Sequence, residues 1–287
     1  MDLWRNIAWG KLLRDLWCEF RDDHVPNGAA ALAFYMVLAL FPAAIFGLSL
    51  LPYLPIPNLY EAVMELARQA LPVSAVNLVE GTIHGVLTER NGGLLSFGFL
   101  FALWSASNGL YALMQQLNLV YDVHERRPFW RARGIAVLLT LSFFVLVVGA
   151  FGLVIFGGVL ESFFGERLGW SQVLLTTFAV LRWIIIFAAI QLALSVVYYI
   201  GPNVKQSFTF LAPGTTFATV GLSVVSFGFK VYVSNFASYD AVYGGLGAVI
   251  VLLMWLFLTG LVILVGGEIN ELIERQRGII REPLERG

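Results

Sequence analysis

Six long apolar blocks decide what this chain can become. They lie near 28–51, 93–120, 134–160, 173–199, 213–234 and 247–267. Each is long enough to cross a hydrocarbon layer of about 30 Å, which takes about 20 residues at helical rise. Inside such a layer every backbone N–H and C=O must find its partner within the protein, so blocks of this length predict helices. The expected fold is all-α, a single polytopic membrane domain over 1–287 with six transmembrane helices. Composition agrees, with 59% of residues hydrophobic, 13% charged and a mean hydropathy of +0.79, far from the soluble balance. The first block, GAAALAFYMVLALFPAAIFGLSLL, is longer than a signal-peptide core and follows a polar segment, so it is expected to remain as an anchor.

Orientation follows from the cations outside the blocks. Arg5, Lys11, Arg14 and Arg21 precede the first block; Arg126, Arg127, Arg131 and Arg133 follow the second; Lys205 follows the fourth; Arg275, Arg277, Arg281 and Arg286 lie in the 268–287 tail. These thirteen fall on one side, against Arg68, Arg90 and Arg167 on the other. The positive-inside rule then puts both termini in the cytoplasm, as an even number of spans requires. Membrane lipids are the expected first partners. A net charge of −1 and a pI near 6.3 offer no basic face for nucleic acid.

Two segments look amphipathic rather than spanning. Within the cytoplasmic segment 1–27, LWRNIAWGKLLRDLWCEFR mixes Trp4, Trp9, Trp17 and several leucines with charge, which suits a helix lying at the interface or one packed beneath the bundle. In the first external loop, residues 58–90 predict two short helices broken at Pro72, with Leu59, Val63, Leu66 and Ala70, then Val76, Val79, Ile83 and Val86, at helical spacing.

No catalytic set stands out. Cys18 is alone, and His24, His84 and His124 are scattered without metal-ligand spacing. There is no GxSxG elbow and no phosphate-binding loop, so neither an enzyme, a cofactor nor a metal is expected. The informative residues are polar ones inside the blocks. Ser105, Asn108, Tyr111, Gln115, Asn118 and Asp122 form one helical face of the second span, and Thr215, Thr219, Ser223, Ser226 and Lys230 one face of the fifth. Arg182 lies near the middle of the fourth span, where a cation costs about 2.5 to 3.5 kcal/mol by insertion scales. No Asp or Glu occurs inside the blocks to compensate it. Backbone carbonyls, Asn108 or Gln115, water, or an anionic lipid or small organic anion can hold it; the anion predicts a substrate path between spans two, four and five carried by Arg182, Lys230, Asn108, Tyr111, Gln115, Ser223 and Ser226. Between spans five and six, SNFASYDAVYGGLG suggests either a tight connector whose glycines let the sixth span begin close against its neighbours, or an outer gate with Tyr239 and Tyr243 at the interface and Asp240 within reach of Lys230. The opposing reading is a scaffold in which small polar groups hold helices together and nothing is transported. Oligomeric state is left open.

The stretches AAALAFYMVLALFP (29–42), WSASNGLYALMQQLNLVYDVHERRPFWRAR (104–133) and YVSNFASYDAVYGGLGAVIVLLMWLFLTGLVILVGGEIN (232–270) resemble the YihY/BrkB family of bacterial inner-membrane proteins. The resemblance covers most of the chain and implies six helices with cytoplasmic termini. It implies no reaction, although the family has carried both a ribonuclease BN label and a virulence-factor label. RNA cleavage would need clustered metal-binding side chains or a paired acid and base. The nearest candidate, DVHERRPFWRAR (122–133), reads better as a topology anchor beside anionic headgroups. The loop GPNVKQSFTFLAP is less basic than the resemblance leads one to expect.

Overall fold

The computed structural model describes residues 8–53, 64, 80, 92–168, 171–235 and 245–278. Among them are seven α-helices, one 3-10 turn and no β-strand. The helices are α1 (Trp9–Asp22), α2 (Val25–Leu50), α3 (Gly92–Val120), α4 (Phe129–Leu168), α5 (Gln172–Ile200), α6 (Pro213–Asn235) and α7 (Gly245–Gln276). All but α1 are long and apolar enough to cross a membrane. The six expected spans therefore match α2 to α7. The helices predicted within 58–90 fall almost wholly outside the described residues.

The chain divides into two compact units, residues 1–34 with 110–287, and residues 35–109. In the smaller unit the second half of α2 meets the first half of α3. A Cβ added at Gly98 would stand 3.3 Å from the Cα of Phe46, so glycine sets how closely these backbones approach. The Phe46 and Phe99 rings pack at 5.3 Å beside it.

The larger unit holds a core drawn from every spanning helix, including Ala29 and Leu32 of α2, Leu117 of α3, Leu139 of α4, Val197 of α5, Ala218 of α6 and Leu264 of α7. Lipid offers no hydrophobic drive for helices to associate, so close packing must hold them. Small residues stand at the crossings. A Cβ at Gly260 would meet the Ala29 backbone at 3.2 Å, one at Gly221 would meet Val262 Cγ1 at 2.8 Å, and one at Gly214 would collide with the Gly266 carbonyl. The outward faces are apolar, as at Trp183 and Ile184 of α5, both more than half exposed. That surface suits acyl chains and would be a liability in water.

At one end of this unit, here called the basal end, α1, the turn 121–128, the loop 201–212 and the last turns of α7 come together. Helix α1 buries Leu12, with Leu16 beside it, against Ile269, Leu272 and Ile273 of α7. Trp9, Leu13 and Trp17, four residues apart, are left exposed on another face. Of the two readings of this segment, it is packed beneath the bundle, and it still presents an apolar stripe outward. Helix α7 continues unbroken to Gln276, well past residue 267 where the last apolar block ends. Glu268, Asn270 and Glu271 are thus buried inside the bundle rather than placed in a tail.

Candidate functional site

The polar residues of α5, α6 and α7 are joined into one line. Gln191 of α5 is buried; its Oε1 accepts from Thr219 Oγ1 at 2.6 Å, and its Nε2 donates to the Phe210 carbonyl at 2.7 Å. Ser195, one turn on, donates to the carbonyls of Gln191 at 2.7 Å and Phe210 at 3.0 Å. At the start of α6, Pro213 has no N–H to satisfy, and the next N–H, of Gly214, donates to Asn270 Oδ1 at 2.8 Å. Asn270 Nδ2 reaches Thr215 Oγ1 at 3.3 Å. Gly214 is what lets α6 begin so near α7, since any side chain there would strike Gly266 and Asn270. In a water-poor interior each of these polar groups needs a partner, and side chains from three helices supply them.

This line opens at the basal end into a small, half-open cavity of about 40 Å³, lined among others by Tyr121, Tyr198, Gln206, Thr215, Asn270 and Arg277. The volume suits a few waters or a small polar group rather than a whole lipid headgroup. Its chemistry is hydroxyl, amide and guanidinium.

Beside the cavity, the turn after α3 is clamped to the end of α5. Arg127 donates from Nε and Nη2 to both oxygens of Glu125 at 2.7 Å, and from Nη1 and Nη2 to the carbonyls of Ile200 at 3.1 Å and Gly201 at 2.7 Å. A guanidinium here satisfies the last carbonyls of α5 and the negative end of its dipole. Asn118 ties α3 into the same knot, donating to Glu125 at 3.0 Å and accepting from the Asn203 N–H at 2.7 Å. Burial alone would raise the Glu125 carboxyl, but the bonds and charge of Arg127, with Asn118, hold it below the ordinary carboxylate range.

The residues expected to form the path are placed as follows. Arg182 is partly buried on α5, nine residues or roughly 14 Å of helix from Gln191. Lys230 lies eleven residues beyond Thr219 on α6, on the same side of the Gln191–Thr219 pair as Arg182. Lys230, Ser223 and Ser226 are exposed on α6; Ser223 also donates to the Thr219 carbonyl at 3.1 Å. Tyr111 and Gln115 are half-buried on α3, with the Tyr111 ring edge-on to Phe129 at 6.4 Å. Asn108, also half-buried, belongs to the smaller unit. Tyr239, Asp240 and Tyr243 lie outside the described residues, so the expected gate does too. Among the described residues no three His, Cys, Asp or Glu side chains are grouped to hold a metal.

Sequence reasoning passed over Gln191, Asn203, Asn270 and Glu268. Gln191 was the one within reach, for an amide inside an apolar block carries the same signal that singled out Asn108 and Gln115. The others sit just beyond the apolar blocks, where polar residues are ordinary.

Comparison with known proteins adds the following. The family described as Virulence factor BrkB matches residues 16–286. A ribonuclease-like protein, YfkH, of Bacillus subtilis (strain 168) is 40% identical over 265 residues, covering 92% of this chain and 96% of that protein. A UPF0761 membrane protein of Xanthomonas oryzae pv. oryzae (strain PXO99A) is 24% identical over 92% of this chain; the chain spans only 60% of that relative's length. No solved structure matches.

Proposed function

From the premise that this chain belongs to the BrkB/YihY family of membrane proteins, we propose that it translocates an anionic amphiphile, a lipid or small organic anion, and is not an enzyme. One observation carries the reading. The polar stripe of α6 is enclosed at Thr215 and Thr219 and open at Ser223, Ser226 and Lys230. A polar track that is sealed at one end and laterally open within an apolar surface fits a substrate whose charged head follows the protein while its tail stays in lipid. Arg182, on the same side of the Gln191–Thr219 pair as Lys230, supplies a second cation for the head. Tyr111 and Gln115 belong to the same proposed path. We place the protein in a bacterial inner membrane, and the cation distribution supports the basal end lying in the cytoplasm. The name of the Bacillus relative brings an RNA-cleaving alternative, and no clustered ligand set among the described residues speaks for it.

Native mass spectrometry of the detergent-purified protein, wild type beside Arg182→Gln and Lys230→Gln, tests the reading. A defined anionic species that stays on the wild type and leaves both variants is expected, followed by loss of its transfer between leaflets of liposomes. Equal, unselective lipid on all three proteins, with no transfer by the wild type, overturns it and leaves a scaffold.

A further inference from the structure

Helix α7 presents Gly260, Leu264 and Glu268 on one face, four residues apart. Gly260 abuts Ala29, and Leu264 abuts Gly28, whose missing side chain also makes room for Gln116. Continuing that antiparallel register brings Glu268 beneath the turn between α1 and α2. There Asp23 ends α1, and His24, with φ +51°, starts α2 by accepting from the N–H groups of Asn27 and Gly28. Glu268 is fully buried, and neither of its carboxylate oxygens meets a donor. What it meets is the side chain of Asp23.

Two ionised carboxylates offer each other only lone pairs. Their contact is a hydrogen bond only when a proton lies between them. The surroundings make full ionisation worse. Glu19 and Asp22 of α1, Asp122 of the turn after α3 and Glu271 of α7 all bear on the pair with like charge. The cation at hand, Arg275, is spent on Glu19 at 2.9 Å. Helices α2 and α3 contain no charged residue at all. Burial, opposed by the bond to Glu268 and reinforced by the acidic neighbours, holds the Asp23 carboxyl above the ordinary range. Asp23 is half-exposed at the basal surface while Glu268 is enclosed, so solvent reaches the pair through Asp23.

We propose that Asp23 and Glu268 form a proton-binding site, which holds one proton between the α1–α2 turn and α7 at neutral pH and exchanges it with the basal aqueous phase. When the proton leaves, two carboxylates face each other with Glu268 shut off from water, and the turn is driven away from α7. The site is therefore a pH-responsive joint at the base of the bundle. It stands on the carboxyl pair alone and does not rest on the transport reading.

Infrared difference spectroscopy of the full-length protein in liposomes, between neutral and strongly alkaline buffer, is the test. The wild type should show the carbonyl stretch of a protonated carboxylic acid at neutral pH, sensitive to deuterium and lost in alkali. Glu268→Gln, which mimics the protonated form, and Asp23→Asn should each remove it, while Asp22→Asn and Glu271→Gln keep it. Glu268→Gln should also abolish the fall in thermal stability between neutral and alkaline pH. A wild type without the band at neutral pH overturns the proposal whatever the variants do. So does a wild type whose stability in alkali is restored by sodium but not by choline, for that would mean two carboxylates holding a metal cation.

Discussion

Replacing Arg127 with alanine should cost about 3 kcal/mol of stability. The guanidinium is 5% exposed and the Glu125 carboxylate 15%, so the pair is nearly dry. Removing the guanidinium leaves the carboxylate to Asn118 and a backbone N–H, and strips the carbonyls of Ile200 and Gly201 of their donor. Breaking a buried pair from one side typically costs about 3 to 5 kcal/mol, and the residual exposure of Glu125 sets the lower figure. Arg127→Lys keeps the charge but not the two-pronged fit, and should lose about half as much. Unfolding by titration with SDS in mixed micelles reads both losses. A double-mutant cycle with Glu125→Gln should then return a coupling above about 1 kcal/mol, because the two changes remove one shared interaction. A loss below about 1 kcal/mol for Arg127→Ala, the range of an exposed pair, would refute the clamp.

Acidity should loosen the same clamp. The folded Glu125 carboxyl titrates below its unfolded value, so its contribution is present above the unfolded pKa and disappears as pH falls through the folded one; Glu125→Gln should flatten that acid limb of a thermal-stability profile. At the crossing of α6 and α7, Gly214→Ala should destabilise by about 3 kcal/mol, the upper end for overpacking. Gly228→Ala, where a Cβ meets nothing within 4 Å, should be neutral or stabilising in the same assay. Gln191→Leu removes one acceptor from Thr219, whose hydroxyl keeps the Thr215 carbonyl at 3.0 Å, and leaves the Phe210 carbonyl to Ser195 alone, and should cost about 1 kcal/mol by the same SDS titration.

Length and hydropathy by themselves determined the six spans, because a membrane demands about 20 apolar residues whatever the neighbours are. The amphipathic start of the chain was legible for the same local reason. Tertiary structure alone decided which polar groups meet. Gln191 and Thr219 lie 28 residues apart, Asn118 and Asn203 85, and no period in the sequence joins them. The end of α7 shows the limit most clearly. Hydropathy stops at Gly267 because a carboxylate follows, yet the helix goes on. Glu268 meets a second acid 245 positions earlier, brought to it by the packing of α1 and the start of α2 against α7. A charged residue reads as an exit from the membrane when its partner is far away in the chain, for burial of charge is permitted by what surrounds it in space.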